Sequence, residues 1–144
     1  MMKKVTSMAI LFALIVGCQT PVPRPASDED FNTLFDKSLS YTKYPYHTDS
    51  ALMILHELLP GQQGTNRAKV LNMMGVSFDI QGVYDSAAYY LYEASRIAEE
   101  VRDDSLQISV YSNLGMLQYT LKNAEESVAY YQKALAIAEK SNHS

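Results

Sequence analysis

The sequence predicts an all-α fold: an α-solenoid of about three helix hairpins, preceded by a signal peptide and a Pro-rich tether. Three observations predict it. From Phe31 onward apolar residues recur at helical spacing, and no segment sustains the period-two alternation of a half-buried strand. Breakers divide that pattern, at Tyr44-Pro45-Tyr46, at Pro60-Gly61 and at Gly82. The chain also echoes itself at a distance of 40 residues, the mark of stacked structural repeats.

The chain has 144 residues, with Lys3 and Lys4 followed by an unbroken apolar run from Met8 to Val16. A positive start and a short apolar stretch make a secretory signal. The run falls well short of the roughly 20 apolar residues that span a bilayer as a helix. It ends in Ile15-Val16-Gly17-Cys18, and Cys18 is the one cysteine of the chain, so no internal disulfide can form. This tetrapeptide resembles the lipobox of bacterial lipoproteins. The resemblance implies cleavage before Cys18 and attachment of lipid, palmitate included, to its sulfur and new amino group. The competing reading is a free thiol in a leader cleaved elsewhere. Residues 1–17 are then the lipoprotein signal peptide, and 18–27 the lipidated cysteine and its linker. Two or three acyl chains hold a domain on a membrane almost permanently, because each buried methylene contributes about 0.8 kcal/mol.

Loss of residues 1–17 removes Lys3 and Lys4 and takes the net charge from −4 to −6. That balance excludes nucleic acid, whose binding rests on neutralised phosphates. It also excludes a membrane contact through basic residues, which leaves the lipid on Cys18 as the anchor.

Gln19 to Ala26 holds three prolines at alternating positions. Proline favours extended polyproline II, and at about 3.1 Å per residue this spacer lifts the domain some 25 Å from its anchor. Ser27-Asp28-Glu29-Asp30 follows. Ser27 suits a helix N-cap, with the acids facing the positive end of the helix dipole. The cluster also resembles the Ser-plus-acidic surface-export signals of Bacteroidetes lipoproteins, although it stands further from the cysteine than such signals do.

The helical domain is expected over 28–141. Phe31, Leu34, Phe35 and Leu39 form the apolar stripe of the first helix. Ala51 to Leu59 is the second, and the third runs from about Asn66 to Ile80. The fourth spans Tyr84 to Val101. Asp103, Asp104 and Ser105 offer caps for a fifth that reaches about Leu121, and the sixth covers Ala124 to Lys140.

A shift of 40 places the third and fourth helices on the fifth and sixth without a gap. Val70 meets Val110, Gly75 meets Gly115, Tyr90 meets Tyr130, Ala94 meets Ala134, and Ile97-Ala98-Glu99 meets Ile137-Ala138-Glu139. A shift of 36 relates the second helix to the fourth, where Asp49-Ser50-Ala51 meets Asp85-Ser86-Ala87. Gly75 and Gly115 are expected where the two helices of a hairpin cross closely, with Ala87, Ala94 and Ala134 as the small residues opposite. Tyr90, Tyr130 and Tyr131 are expected to fill the gap to the next repeat.

Asn113-Leu114-Gly115 followed by Tyr130-Tyr131-Gln132-Lys133-Ala134-Leu135 resembles the core of a tetratricopeptide repeat. Met74-Gly75, Phe78, Gly82, Tyr84, Ala87, Tyr90 and Ala94 fit the same pattern one repeat earlier. Gln118, Lys122 and Ala124 stand where the family has an aromatic, a glycine and an aromatic. The period is 40 rather than 34. The resemblance implies a protein-binding module without cofactor, whose first helix in each hairpin lines a concave peptide groove. On the third helix Lys69, Asn72, Met73, Val76 and Asp79 share the face opposite the Gly75 crossing, and on the fifth Ser109, Ser112, Asn113, Met116 and Tyr119 match it. Asn113 is the leading candidate, because an amide can both donate to and accept from an extended backbone. Met73 and Met116 would give adaptable apolar contact.

Catalytic constellations are missing from the sequence. His47, His56 and His143 are scattered, and His56-Glu57 lacks the second histidine of a zinc-protease helix. There is no G-x-S-x-G, phosphate-binding loop or dinucleotide fingerprint. The acidic pairs Glu99-Glu100, Asp103-Asp104 and Glu125-Glu126 are adjacent in sequence, so their side chains diverge by about 100° on a helix. Tyr84, Tyr90, Tyr130 and Tyr131 fall on repeat-core positions, which favours packing over a sugar platform.

The chain stops soon after the sixth helix with no polar capping helix, so Val128, Leu135 and Ala136 are expected on an open face that takes a partner or a second copy. The sequence therefore predicts a non-catalytic, lipid-anchored scaffold in the cell envelope, on the outer rather than the inner membrane, at its periplasmic or surface face. Two alternatives remain open. One is the extracytoplasmic sensor portion of a longer regulator, which a downstream membrane-spanning segment would reveal. The other is a glycan-uptake accessory lipoprotein, although those that contain such repeats are far larger.

Overall fold

The computed structural model describes residues 26–43 and 46–142. The apolar leader, Cys18, most of the Pro-rich tether and His143 lie outside the described residues. Six helices follow one another: α1 (Asp28–Tyr41), α2 (Thr48–Leu58), α3 (Gly64–Ile80), α4 (Tyr84–Val101), α5 (Asp104–Thr120) and α6 (Ala124–Asn142). No strand occurs among the described residues, and none of their helices is long and apolar enough to cross a membrane. The fold is the all-helical solenoid the sequence predicts, three hairpins long.

The helix ends follow from local chemistry. Ser27 caps α1: its hydroxyl oxygen accepts from the Asp30 amide at 3.2 Å and its O–H donates to the Asp30 carboxylate at 2.6 Å. Asp103 caps α5 by accepting from the Leu106 amide at 3.0 Å. The sequence places the start of α2 three residues late. Thr48, three residues before the expected start at Ala51, is buried and already helical.

Three helices close with the same 6→1 bond. The Val83 amide donates to Phe78, Asp103 to Ala98 and Asn123 to Gln118, at 2.9, 3.3 and 2.9 Å. Each closure needs a left-handed residue just before its donor. Gly82 provides it at φ 74°, whereas Arg102 and Lys122 adopt φ 55° and 64° with a side chain in place. Lys122 thus keeps the backbone of the expected glycine at a steric cost of roughly 1 kcal/mol.

Two apolar clusters run the length of the stack. Phe31, Ala51, Leu52, Leu55, Leu58, Val70 and Met74 join α1 to α3. Leu71, Leu91, Ile97, Leu106, Val110, Leu114 and Leu117 lead the second, which spans α3 to α6. Phe78 and Tyr90 touch both clusters and stack on each other with ring centroids 5.4 Å apart. A hairpin cannot bury both its faces alone, and these shared residues tie neighbours into one core.

The glycine crossings are where the sequence puts them. A Cβ on Gly75 would sit 2.6 Å from Leu91 Cγ and 3.2 Å from the Ala87 carbonyl. One on Gly115 would sit 3.1 Å from the Tyr131 ring.

The tyrosines depart from expectation. Tyr130 stacks on Tyr111 of its own hairpin, 6.2 Å between centroids, and hydrogen-bonds back to Tyr92 of the preceding one. Tyr131 lies over Gly115 within its hairpin and, like Tyr84, stays more than a third exposed. The filling between the second and third hairpins comes instead from Leu106, Val110 and Tyr111 of α5. Gln118, standing where an aromatic was expected, is buried and satisfied: its amide donates to the Tyr92 hydroxyl at 3.1 Å and its carbonyl accepts from Asn123 at 2.8 Å.

Candidate functional site

Helices α1, α3 and α5 are the first members of their hairpins, and a cavity of about 390 Å³ opens between them. Phe35 and Leu39 of α1, Met73 of α3 and Leu106 of α5 give it apolar walls. Lys69, Asn72, Asp103, Ser105 and Ser109 give it polar ones. Four of the ten groove residues predicted from sequence, Lys69, Asn72, Met73 and Ser109, therefore converge on one cavity.

An amide ladder crosses the floor from α3 to α5. The Asn113 side-chain amide donates to the Asn72 carbonyl at 2.9 Å, and the Asn72 amide donates to the Ser109 hydroxyl oxygen at 3.2 Å. Asn72 is only 6% exposed, so it braces the other two rather than meeting a ligand itself. Ser109 is exposed and Asn113 half-exposed. The Asn113 carbonyl oxygen takes no hydrogen bond from the described residues and is left to accept from outside.

The remaining predicted positions divide. Ser112 spends its hydroxyl on the Ile108 carbonyl at 2.7 Å, as serines inside helices often do. Val76 is half-buried. Met116 and Tyr119 are 51% and 70% exposed, and Tyr119 borders a separate cavity of about 590 Å³ with Thr120, Lys122 and Ala124. Asp79 is half-exposed, yet its Oδ1 is shut off from solvent without a hydrogen-bond partner, and this desolvation raises its carboxyl above the ordinary carboxylate range.

Sequence reasoning missed five of the cavity's residues. Phe35 and Leu39 read as an ordinary apolar stripe, and nothing in a stripe tells which of its members faces a neighbour and which a gap. Asp103 and Ser105 read as caps, and Leu106 packs in the core of the second cluster. They do those jobs and also border the cavity, because the N-terminus of α5 lies at its edge.

No group of three or more metal-ligating side chains occurs among the described residues. The inner wall offers apolar area, an amide–hydroxyl ladder and isolated charges. That combination can hold an extended backbone and one or two of its side chains.

Stacked helix hairpins with an open inner wall define a helical-repeat binding protein. Residues 66–140, just over half of the chain, match the family model described as tetratricopeptide repeat, and the chain belongs to that family. Its members generally bind proteins rather than catalyse reactions. The chain is similar to tetratricopeptide repeat protein 19, mitochondrial, from Rattus norvegicus and from Mus musculus. Each is 30% identical over 106 residues, which cover 74% of this chain and 28% of the relative. The chain thus spans less than a third of the length of these relatives. No solved structure matches it.

Proposed function

We propose that this protein is a non-catalytic scaffold that grips an extended segment of a partner protein in the groove between α1, α3 and α5, and that lipid on Cys18 fixes it to a cell-envelope membrane, the outer one. The observation that carries the first half is the braced ladder of Asn72, Asn113 and Ser109 beside an apolar cavity. A buried amide that spends both its donor and its acceptor on holding two more exposed polar groups fits pre-organisation for a ligand. The second half rests on sequence alone: the lipobox around Cys18, its uniqueness, and the Pro-rich spacer behind it. A second copy would dock on the last hairpin, a reading supported by Val128 and Leu135, which stand more than half exposed there.

The test is a pull-down of the lipidated full-length protein from its own envelope, beside Asn113→Ala and Cys18→Ser. Asn113→Ala is expected to lose partners while staying in the membrane fraction. Cys18→Ser is expected to leave that fraction and to lack the acyl mass. Equal recovery of partners by wild type and Asn113→Ala counts against the groove, and an unmodified Cys18 counts against the anchor.

A further inference from the structure

Within the stack, the third hairpin covers the second. Beneath α5, Leu91 and Ala98 of α4 are closed off, the Gln107 amide donates to the Ala98 carbonyl at 3.1 Å, and the Tyr111 hydroxyl donates to the Glu99 carboxylate. α6 continues the cover, where Tyr130 bonds to Tyr92.

The last hairpin repeats the covered surface and leaves it bare. Ile137-Ala138-Glu139 repeats Ile97-Ala98-Glu99. Tyr131 stands in the place of Leu91, yet it is 39% exposed where Leu91 is 1% exposed. Val128 and Leu135, one turn to either side, are more than half exposed. The three lie at i, i+3 and i+7, so they form one apolar stripe along α6.

The other end of the stack offers a recess. Tyr41 of α1 and Met53 and Ile54 of α2 give apolar walls to a cavity of about 530 Å³, which Lys37, His56 and Glu57 also line. No residue of α3 lines it, so it opens away from the rest of the stack.

The repeat puts the two surfaces in register. A step of 40 carries Tyr130 back to Tyr90, and one of 36 carries Tyr90 back to Ile54. A step of 40 carries Tyr92 forward to Gln132, the neighbour of Tyr131. If one copy follows another as the third hairpin follows the second, Ile54 falls beside Gln132 and the recess lies over the stripe. Charge agrees in part: Lys37 borders the recess, and Glu125 and Glu139 flank the stripe. Glu57 shares the recess, so the apolar contact carries most of the attraction.

We infer that copies of this chain stack head to tail, the stripe of Val128, Tyr131 and Leu135 in one seated in the α1/α2 recess of the next. This rests on the proposed docking of a second copy on the last hairpin, and it names the surface that meets it. The two surfaces differ, so the contact is heterologous, and a pair keeps one free recess and one free stripe with which to grow.

The experiment is sedimentation of the full-length chain in density-matched mild detergent, with Met53→Glu to block the recess and Leu135→Glu to block the stripe. Both residues are exposed, and melting curves check that both variants fold. The wild type is expected to pass from monomer to dimer and on to larger species as concentration rises. Each variant alone is expected to lose at least about tenfold in association, because a carboxylate is costly to bury without a partner. An equal mixture of the two is expected to form dimers and nothing larger, since one intact recess meets one intact stripe. A wild type that stops at dimers, abolished by Leu135→Glu and untouched by Met53→Glu, means that the stripe pairs with itself. That outcome overturns this inference and leaves the second-copy reading in place. So does a mixture that stays monomeric while the wild type assembles. If the wild type is monomeric at every concentration, the inference and the second-copy reading fall together.

Discussion

Gly75 lies so close to Leu91 that a single added carbon would come within 2.6 Å of its Cγ and 3.2 Å of the Ala87 backbone carbonyl. Leu91 is itself fully packed and cannot swing aside. At the equivalent crossing, a Cβ on Gly115 would meet only the ring of Tyr131, which is 39% exposed and free to tilt outward. Replacing a helical glycine by alanine gains about 1 kcal/mol of helix propensity. Gly75→Ala is therefore expected to lose roughly 2 kcal/mol net through overpacking, and Gly115→Ala to be neutral or slightly stabilising. Urea denaturation of the two variants, read by circular dichroism, checks the contrast. Equal losses at both sites would contradict it.

That contrast also shows what the sequence could and could not reveal. The 40-residue echo located both glycines, both hairpins and the face opposite the crossings, because repeats put the same demand on the backbone at each period. It could not say that Leu91 and Tyr131, aligned in register, fill their crossings differently, since one is covered by α5 and the other is not. The same gap explains the groove. The inner stripes of α3 and α5 were legible from helical phase. The contribution of Phe35 and Leu39 was not, because it depends on how α1 stands relative to α3, and the first hairpin echoes the others only in its second helix.

Lys122 closes α5 in a left-handed conformation, φ 64°, that glycine adopts without strain. Lys122→Gly is expected to raise stability by about 1 kcal/mol, since it relieves the backbone and disturbs no core residue. Gly82→Ala, at φ 74° in the equivalent turn, is expected to lose about as much. Thermal melts that move in opposite directions for the two variants are the expected outcome. A destabilised Lys122→Gly would mean that the lysine side chain contributes more than the strain it brings.

The ladder across the groove predicts an asymmetry between its two asparagines. Asn72 is buried and makes both of its interhelical bonds, whereas Asn113 is half-exposed and makes one. Asn72→Ala removes the link between α3 and α5 and leaves a small cavity, at a cost of about 2 kcal/mol. Asn113→Ala removes one hydrogen bond to Asn72 but leaves the Asn72–Ser109 link between α3 and α5 in place, and is expected to lose about 1 kcal/mol. Partner capture is expected to fall in both. Only Asn72→Ala should also lower the denaturation midpoint clearly, so stability and capture measured together separate support from recognition.

Asp79 is expected to act against the stability of the free protein. Desolvation raises its carboxyl above the ordinary range, so the unfolded chain ionises first as pH rises. A group of this kind contributes stability below its unfolded value and loses it as pH climbs through the folded one. At neutral pH that stability is already gone. Asp79→Asn keeps the shape without the charge and is expected to gain a little stability at pH 7, a small effect because the residue is half-exposed and partly screened. The gain should shrink as pH falls and the wild-type carboxyl takes up its proton. Chemical denaturation at pH 7 and pH 3 measures both points. A loss at pH 7 would show that the carboxylate is held by a donor within the fold.

Tyr111 makes a pH prediction at the alkaline end. Its ring is buried in the second cluster, its hydroxyl donates to the Glu99 carboxylate, and Lys133 Nζ sits 5.4 Å from its centroid. Desolvation first, then the bond to Glu99 and its negative charge, push the phenol up to about 12. Tyr130 beside it is raised as well, by burial and then by its bond to Tyr92. The folded state therefore keeps protons that the unfolded chain gives up. Stability from this pair is complete below the ordinary phenol value of about 10 and drains away as pH rises toward 12. Tyr111→Phe deletes the proton and the bond together. It is expected to be less stable at pH 7 by about 1 kcal/mol and to lose less between pH 10 and 12 than the wild type does. Denaturation midpoints across that interval decide it, and parallel declines would mean that Tyr111 ionises in the fold as easily as in the unfolded chain.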